Sequence, residues 1–224
     1  MSLLQNSNAV TPASGFELKS VRLDYNSDPR LVHATEEDPT SKKIGTFSWW
    51  AKYSDLNINQ CMFCGYSSNS TMDYIGPRAD NGFDFYGQAG GYLKYQIHIA
   101  PSNRMFRDIA GWYHFVWEID STQATAADRM KVYINGERMT TTGTDCPLDL
   151  EPTIFTCDNH YIGYRPDNSQ NFGGYLAEFY YVDGQALGAS YFGETNAQTG
   201  QWEPKEPKDI KEAVAFGNNG FYLP

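Results

Sequence analysis

Residues Gly111–Met139 read GWYHFVWEIDSTQATAADRMKVYINGERM, and the two alternating runs inside them decide the fold. From Tyr113 the positions Tyr113, Phe115, Trp117 and Ile119 are apolar, while His114, Glu118 and Asp120 are polar and Val116 breaks the pattern. Side chains of an extended chain alternate between faces, so this run predicts a strand with one face buried. Ser121–Asp128 holds no large apolar residue and is expected as a surface loop. Met130, Val132 and Ile134 then alternate with Lys131, Tyr133 and Asn135, and Asn135-Gly136 marks a tight hairpin turn. The aromatic face of the first run needs an apolar partner surface, and the simplest one is a second sheet.

Working outward, the same alternation recurs. Strands are expected at Phe16–Leu23 (with a slip near Lys19), Arg30–Thr35, Gly45–Tyr53, Asn59–Ser67, Asp73–Arg78, Phe83–Tyr86 and Tyr92–Ala100. Further on they are expected at Tyr161–Tyr164, at Tyr175–Val182 and, as a terminal edge, within FGNNGFYLP. In Gly45–Tyr53, Phe47 and Trp49 share a face and Trp50 points the other way. Thr140–Thr153 reads as a long loop, Ala189–Glu194 as one helical turn, and Trp202–Ala213 as a segment punctuated by proline and charge. No helix-length period, internal repeat or linker run is visible. Short strands at this spacing predict an all-β, two-sheet antiparallel sandwich, one domain over residues 16–224 behind a polar N-terminal arm, residues 1–15.

Composition agrees. Of 224 residues 41% are apolar and 15% aromatic, enough to fill a core between broad sheets. Twenty glycines and eleven prolines call for many turns. A formal charge of −10 argues against nucleic acid as a partner, since phosphate recognition needs clustered Lys and Arg. No apolar run is long enough to span a membrane. MSLLQNSNAVTPASG lacks a basic n-region and an apolar core, so no secretory signal is expected. Cys61 and Cys64 form a C-x-x-C inside an expected strand, where residues three apart point to opposite faces, a poor arrangement for zinc. The four cysteines are expected as buried or half-buried free thiols, with a Cys146–Cys157 disulfide as the alternative.

Five stretches together carry a resemblance. They are Phe47-Ser48 with Trp50, Trp112–Asp120, Lys131–Gly136, Tyr161–Gly163 and Gly174–Leu187. Their order resembles the concanavalin A-like lectin/glucanase superfamily in its laminin-G and pentraxin-like branch. Phe106–Gly136, Gly174–Leu187, Ser190–Lys205 and Phe216–Leu223 are closer still to a subgroup found in marine bacteriophage structural and tail proteins. The resemblance implies two curved antiparallel sheets in a jelly roll. It also implies a virion protein made in the host cytoplasm, with other virion proteins as partners and a second copy of the chain as a further candidate. It transfers no catalytic residue.

Three functions follow as expectations. The first is a lectin-like adhesion module for a host-surface glycan or receptor, on a tail fibre or virion surface. The second is a decoration or assembly protein that uses the fold for protein contacts. The third is a glycoside hydrolase. Glucanases of the superfamily carry E-x-D-x-E or E-x-D-x-x-E. Here Glu118-Ile119-Asp120 is followed by Thr122 and Gln123, so the acid that would protonate the leaving oxygen is missing. Glu118 and Asp120 are expected on a solvated strand face, and no enzyme is expected. Sugar sites pair aromatic platforms with carboxylates and amides on loops. Two loops qualify, contributing Tyr74, Arg78, Asp80 and Asn81, and Tyr164, Arg165, Asp167 and Asn168. His98 is expected as an ordinary strand residue with a partner. No cofactor is expected, with calcium at Asp80 and Asp84 as the alternative; Asp145, Asp149 and Glu151 form a more generic acidic spacing.

Overall fold

The computed structural model describes residues 19–27, 30–100, 108–167 and 170–224. The arm, the start of the strand expected at Phe16, and Phe106 lie outside the described residues. Alternation yields strands nearly everywhere it was expected. In chain order they are β1 Val21–Leu23, β2 Leu31–Ala34, β3 Ile44–Tyr53, β4 Phe63–Ser68, β5 Thr71–Pro77, β6 Phe83–Ala89, β7 Tyr92–Ile99 and β8 Tyr113–Asp120. Helix α1 (Ala126–Arg129), β9 Met130–Ile134, β10 Glu137–Arg138, β11 Thr142–Thr144, helix α2 (Thr153–Thr156), β12 Asn159–Ile162 and β13 Gly174–Asp183 follow. Last come a 3-10 turn at Ala189–Tyr191, β14 Gly193–Thr195, β15 Trp202–Pro204, helix α3 (Pro207–Ala213) and β16 Phe221–Leu223.

Two large antiparallel sheets face each other. The first runs β1-β13-β3-β8-β9-β10, with β16 also pairing β13. The second runs β11-β7-β6-β5-β4-β12-β2, and β14-β15 form a small ribbon. Asn135 and Gly136 have φ of 48° and 85°, the two positive values that a type I′ turn between β9 and β10 requires. Trp117 and Ile134 both lie in the core, at 0% and 2% exposure. Rings from the two sheets meet there: Phe47 and Phe63 are 4.8 Å apart, Phe83 and Phe115 4.8 Å, and Phe85 and Trp117 5.0 Å. Such ring pairs add about 0.5–1.5 kcal/mol each beyond area burial.

One carboxyl sits inside this core. Asp73 on β5 accepts the Ile154 N–H at 2.9 Å. Burial pushes its pKa up to about 7, although bonds from Ile154, Tyr95 and Thr153 favour the ionised form.

The outer face of the first sheet is covered too. Val116, Tyr180 and Val182 pack beneath Leu187, Phe192, Ile210 and Val214, which explains why Val116 breaks the alternation of β8. His114, on the same face, is fully buried: its Nε2 lies 2.8 Å from Ser48 Oγ, and its Nδ1 accepts the Trp202 indole N–H at 2.9 Å. Burial pulls its pKa down to about 3. The Trp202 ring lies where a Cβ on Gly136 or Gly193 would stand, 2.6 Å away in each case. At the bulge of β13 Glu178 takes φ 49° and accepts the hydroxyls of Tyr180 at 2.8 Å and Tyr222 at 3.0 Å.

Several expectations are corrected. The strand expected from Asn59 begins at Phe63, because Gln60 N–H bonds Pro77 O and Cys61 N–H bonds Gln170 O. Cys61 therefore precedes the strand, the period-two rule does not apply to it, and both Cys61 and Cys64 lie in one small cluster with Met72. All four cysteines are buried and free, as expected, and the alternative Cys146–Cys157 bridge is not formed. The loop expected over Thr140–Thr153 contains β11 and the start of α2. The loop expected over Ser121–Asp128 runs into α1, and Trp202–Ala213 holds β15 and α3. Pro207 opens α3, where its missing N–H costs nothing. No described helix is long and apolar enough to cross a membrane.

Candidate functional site

The outer face of the second sheet carries the candidate site. Alternation on β5, β6 and β7 sends Ile75, Phe83, Phe85 and Ile97 into the core, so Tyr74, Asp84, Tyr86, Gln96 and His98 face outward. Register then makes neighbours of them: Tyr74 pairs with Tyr86, Tyr86 with Gln96, and Asp84 with His98.

The two loops singled out in the sequence converge on this face. Arg165 lies over the Tyr74 ring, 4.6 Å from its centroid, and Tyr86 stacks on Tyr74 at 4.9 Å. Burial raises the Tyr74 hydroxyl to about 12, against the pull of Arg165. Asp167 pairs with Arg165 at 2.9 Å. Beside the rings, Asp84 is 3% exposed and accepts from Arg78 Nη1 at 2.6 Å, Gln96 Nε2 at 2.8 Å and His98 Nδ1 at 2.8 Å. The Asp84 bond is the main reason that Arg78 is held above its ordinary pKa. A cleft of about 90 Å³ opens here, lined by Asn59, Gln60, Tyr74, Arg78, Asp84 and Gln170 among others. Its wall depends on Gly76, where a Cβ would stand 1.8 Å from Gln60 O. Wider recesses exist elsewhere, of about 490 Å³ beside Glu36, Glu37 and Asp158 and about 540 Å³ beside Tyr191 and Lys205. Neither joins a ring stack to a hydrogen-bonded carboxylate.

The other candidates fall into different roles. Asp80 accepts Gly82 N–H at 2.9 Å, and Asn81, at φ 64°, bonds Asn57, so both shape the turn. Tyr164 is buried at 6% exposure beneath Arg30 and offers no open platform. Asn168 lies outside the described residues. Asp84 and Asp80 both face Arg78, which a calcium ion would have to displace. No group of three His, Cys, Asp or Glu among the described residues is arranged to hold a metal. Of the generic acidic set, Asp149 pairs with Lys43 at 2.8 Å.

The incomplete glucanase motif lies on the opposite side of the molecule. Glu118 is not solvated: it is 8% exposed on the covered face of the first sheet, bonded by Lys131 Nζ and Tyr133 OH at 2.8 Å each. Those partners come from the next strand and were invisible in a single run. Burial opposes the charge on Asp120, but bonds from Thr122 and Gln123 hold its pKa below the ordinary value. Tyr86 and Gln96 were not among the residues expected at the site; His98, expected to be a strand residue with a partner, is one, bonded to Asp84. Their outward phase is readable from alternation, but their proximity needs the register.

Residues 30–190 match the Laminin_G_3 family, described as the concanavalin A-like lectin/glucanases superfamily. The fold is similar to that of the native heptameric SAP-like pentraxin of Limulus polyphemus, at 16% identity and TM-score 0.51, covering 75% of this chain and 76% of that one. It is also similar to the CBM40 of the Ruminococcus gnavus IT-sialidase, at 15% identity and TM-score 0.52, covering 77% and 93%. A third likeness is to domains LG4-5 of the mouse laminin α1 chain, at 12% identity and TM-score 0.51, covering 76% of this chain and 42% of that one. At these identities the likeness is one of fold. No curated protein matches the sequence.

Proposed function

Since the chain belongs to the Laminin_G_3 family of the concanavalin A-like lectin/glucanase superfamily, we propose that it is a non-enzymatic carbohydrate-binding module whose site is the outer face of the second sheet. The observation that carries this reading is the convergence of Arg165, Tyr74 and Tyr86 beside Asp84, itself held by Arg78, Gln96 and His98. Sugar rings present C–H faces that pack on aromatic side chains and hydroxyls that need fixed polar partners, and this face supplies both. Fold alone would not assign a function; the site is what supports this reading. We further place the module on a bacteriophage virion, as an adhesin for a host-surface glycan. The support is the resemblance of Phe106–Gly136 and Ser190–Lys205 to phage structural proteins.

One observation favours the decoration or assembly reading. Leu31 and Val32 are 37% and 51% exposed on β2, the edge strand of the second sheet, where backbone and apolar side chains are open to another protein. A glycan array probed with the purified chain, followed by titration of the best ligand, separates the two. Adhesion predicts a glycan hit whose affinity falls at least about tenfold in Tyr86→Ala and Arg165→Ala, since each removes a ring or cation contact. A blank array together with co-purification of virion protein would transfer the assignment to the second reading.

A further inference from the structure

We infer that this face selects uncharged polyhydroxy sugars and rejects acidic ones, such as sialylated, uronic or sulfated glycans. The inference rests on the carbohydrate-binding reading above and names the ligand class. Its basis is the state of the charged groups already present. Asp84 Oδ2 accepts two bonds, from Arg78 and Gln96, and Oδ1 accepts one, from His98. A carboxylate has about four acceptor positions, so one remains on Oδ1. It can receive a sugar hydroxyl, which donates. It repels a carboxylate or sulfate, which brings acceptors and a like charge. His98 donates through Nδ1 to Asp84 Oδ1.

The cations that would welcome an acid already hold carboxylates, although the buried Nε of Arg78 and that of Arg165 have no hydrogen-bond partner. Arg78 faces Asp84 at 2.6 Å and Asp80 at 3.4 Å, and Arg165 faces Asp167 at 2.9 Å. That sets two guanidiniums against three carboxylates. An incoming anion would have to break one of these charge-assisted pairs and compete with a carboxylate already in place. The remaining polar lining, Asn59, Gln60 and Gln170, is uncharged. Arg30 packs over Tyr164 and does not line the cleft. The net charge of −10 adds a long-range field against anions.

The test is a glycan array that carries neutral, sialylated, uronic and sulfated glycans, probed with wild type and with Asp167→Asn, and followed by titration at low and high salt. Wild type is expected to bind neutral glycans, with affinity constant within about twofold over a tenfold rise in salt, because no ion pair forms. Asp167→Asn releases Arg165 and is expected to raise binding of carboxylated glycans about tenfold. Wild-type binding of acidic glycans equal to or above that of neutral ones would overturn the inference and leave the carbohydrate reading standing. So would acidic binding that Asp167→Asn leaves unchanged. An array with no hit at all would overturn both.

Discussion

The outer faces of the two sheets meet opposite fates. On the first, Val116, Tyr180 and Val182 lie beneath the segment from Leu187 to Val214, and even polar residues such as His114 and Glu118 are sealed in and bonded. On the second, Tyr74, Tyr86, Gln96 and His98 stay partly open, and Gln96 and His98 both bond one carboxylate, Asp84. Both faces start from the same alternating pattern. They differ in what the chain lays over them. Covering one face turns its outward polar residues into anchors, whereas the face left open keeps side chains that a ligand can reach.

The largest test of that contrast removes an anchor. Trp202→Ala deletes the ring seated on Gly136 and Gly193 and the donor to His114. It should lower unfolding stability by about 3 kcal/mol in a denaturant titration, while glycan affinity on the opposite sheet is unchanged. A loss of binding in a folded Trp202→Ala protein would show that the two faces are not independent.

Acid distinguishes the buried histidines from the buried carboxyl. His114, with folded pKa about 3 against an ordinary 6.5, contributes stability that is present above pH 6.5 and is lost as pH falls toward 3. His160, pulled down to about 4 by burial, acts in the same direction. Asp73, pushed up to about 7 from an ordinary 3.8, does the reverse: its contribution is full below pH 3.8 and is lost as pH rises through 7. Between pH 7 and 4 the Asp73 gain offsets much of the histidine loss. The Asp73→Asn variant removes that offset, so its stability should drop by about 3 kcal/mol more than wild type over this interval. Parallel pH profiles for the two proteins would refute the buried-carboxyl account.

The smallest effect belongs to the exposed rim of the cover. Lys208 and Glu212 lie 3.8 Å apart on α3 with side chains 75% and 67% exposed. Lys208→Ala should change stability by no more than about 0.5 kcal/mol, which thermal unfolding can bound. A larger loss would mean that α3 depends on surface charge and not on the buried Ile210.

Much of the sandwich could be read from local pattern. Tyr113–Asp120 and Met130–Ile134 announced their buried faces because a period of two is a property of neighbouring residues. What escaped depended on distant partners. The solvated reading of Glu118 failed because Lys131 and Tyr133 arrive from another strand. Cys61 and Cys64 were expected on opposite faces because the crossing of Gln60 over Gly76 leaves no trace in the run NQCMFC. At the site, Tyr74, Arg78, Arg165 and Asp167 were legible as loop chemistry. Tyr86 and Gln96 became part of it only through register, which a single sequence does not carry. Asp80 and Asn81 had the right composition and serve the turn instead.

The seat of Trp202 on the Asn135-Gly136 hairpin has a consequence for biosynthesis. The covering segment leaves the ribosome after β8 and β13, the strands that carry Val116, Tyr180 and Val182. A nascent chain that has already paired β3, β8 and β13 therefore still presents Val116, Tyr180 and Val182 to solvent. Until Trp202 docks, that bare surface is the place for a chaperone to engage or for neighbouring chains on a polysome to stick together.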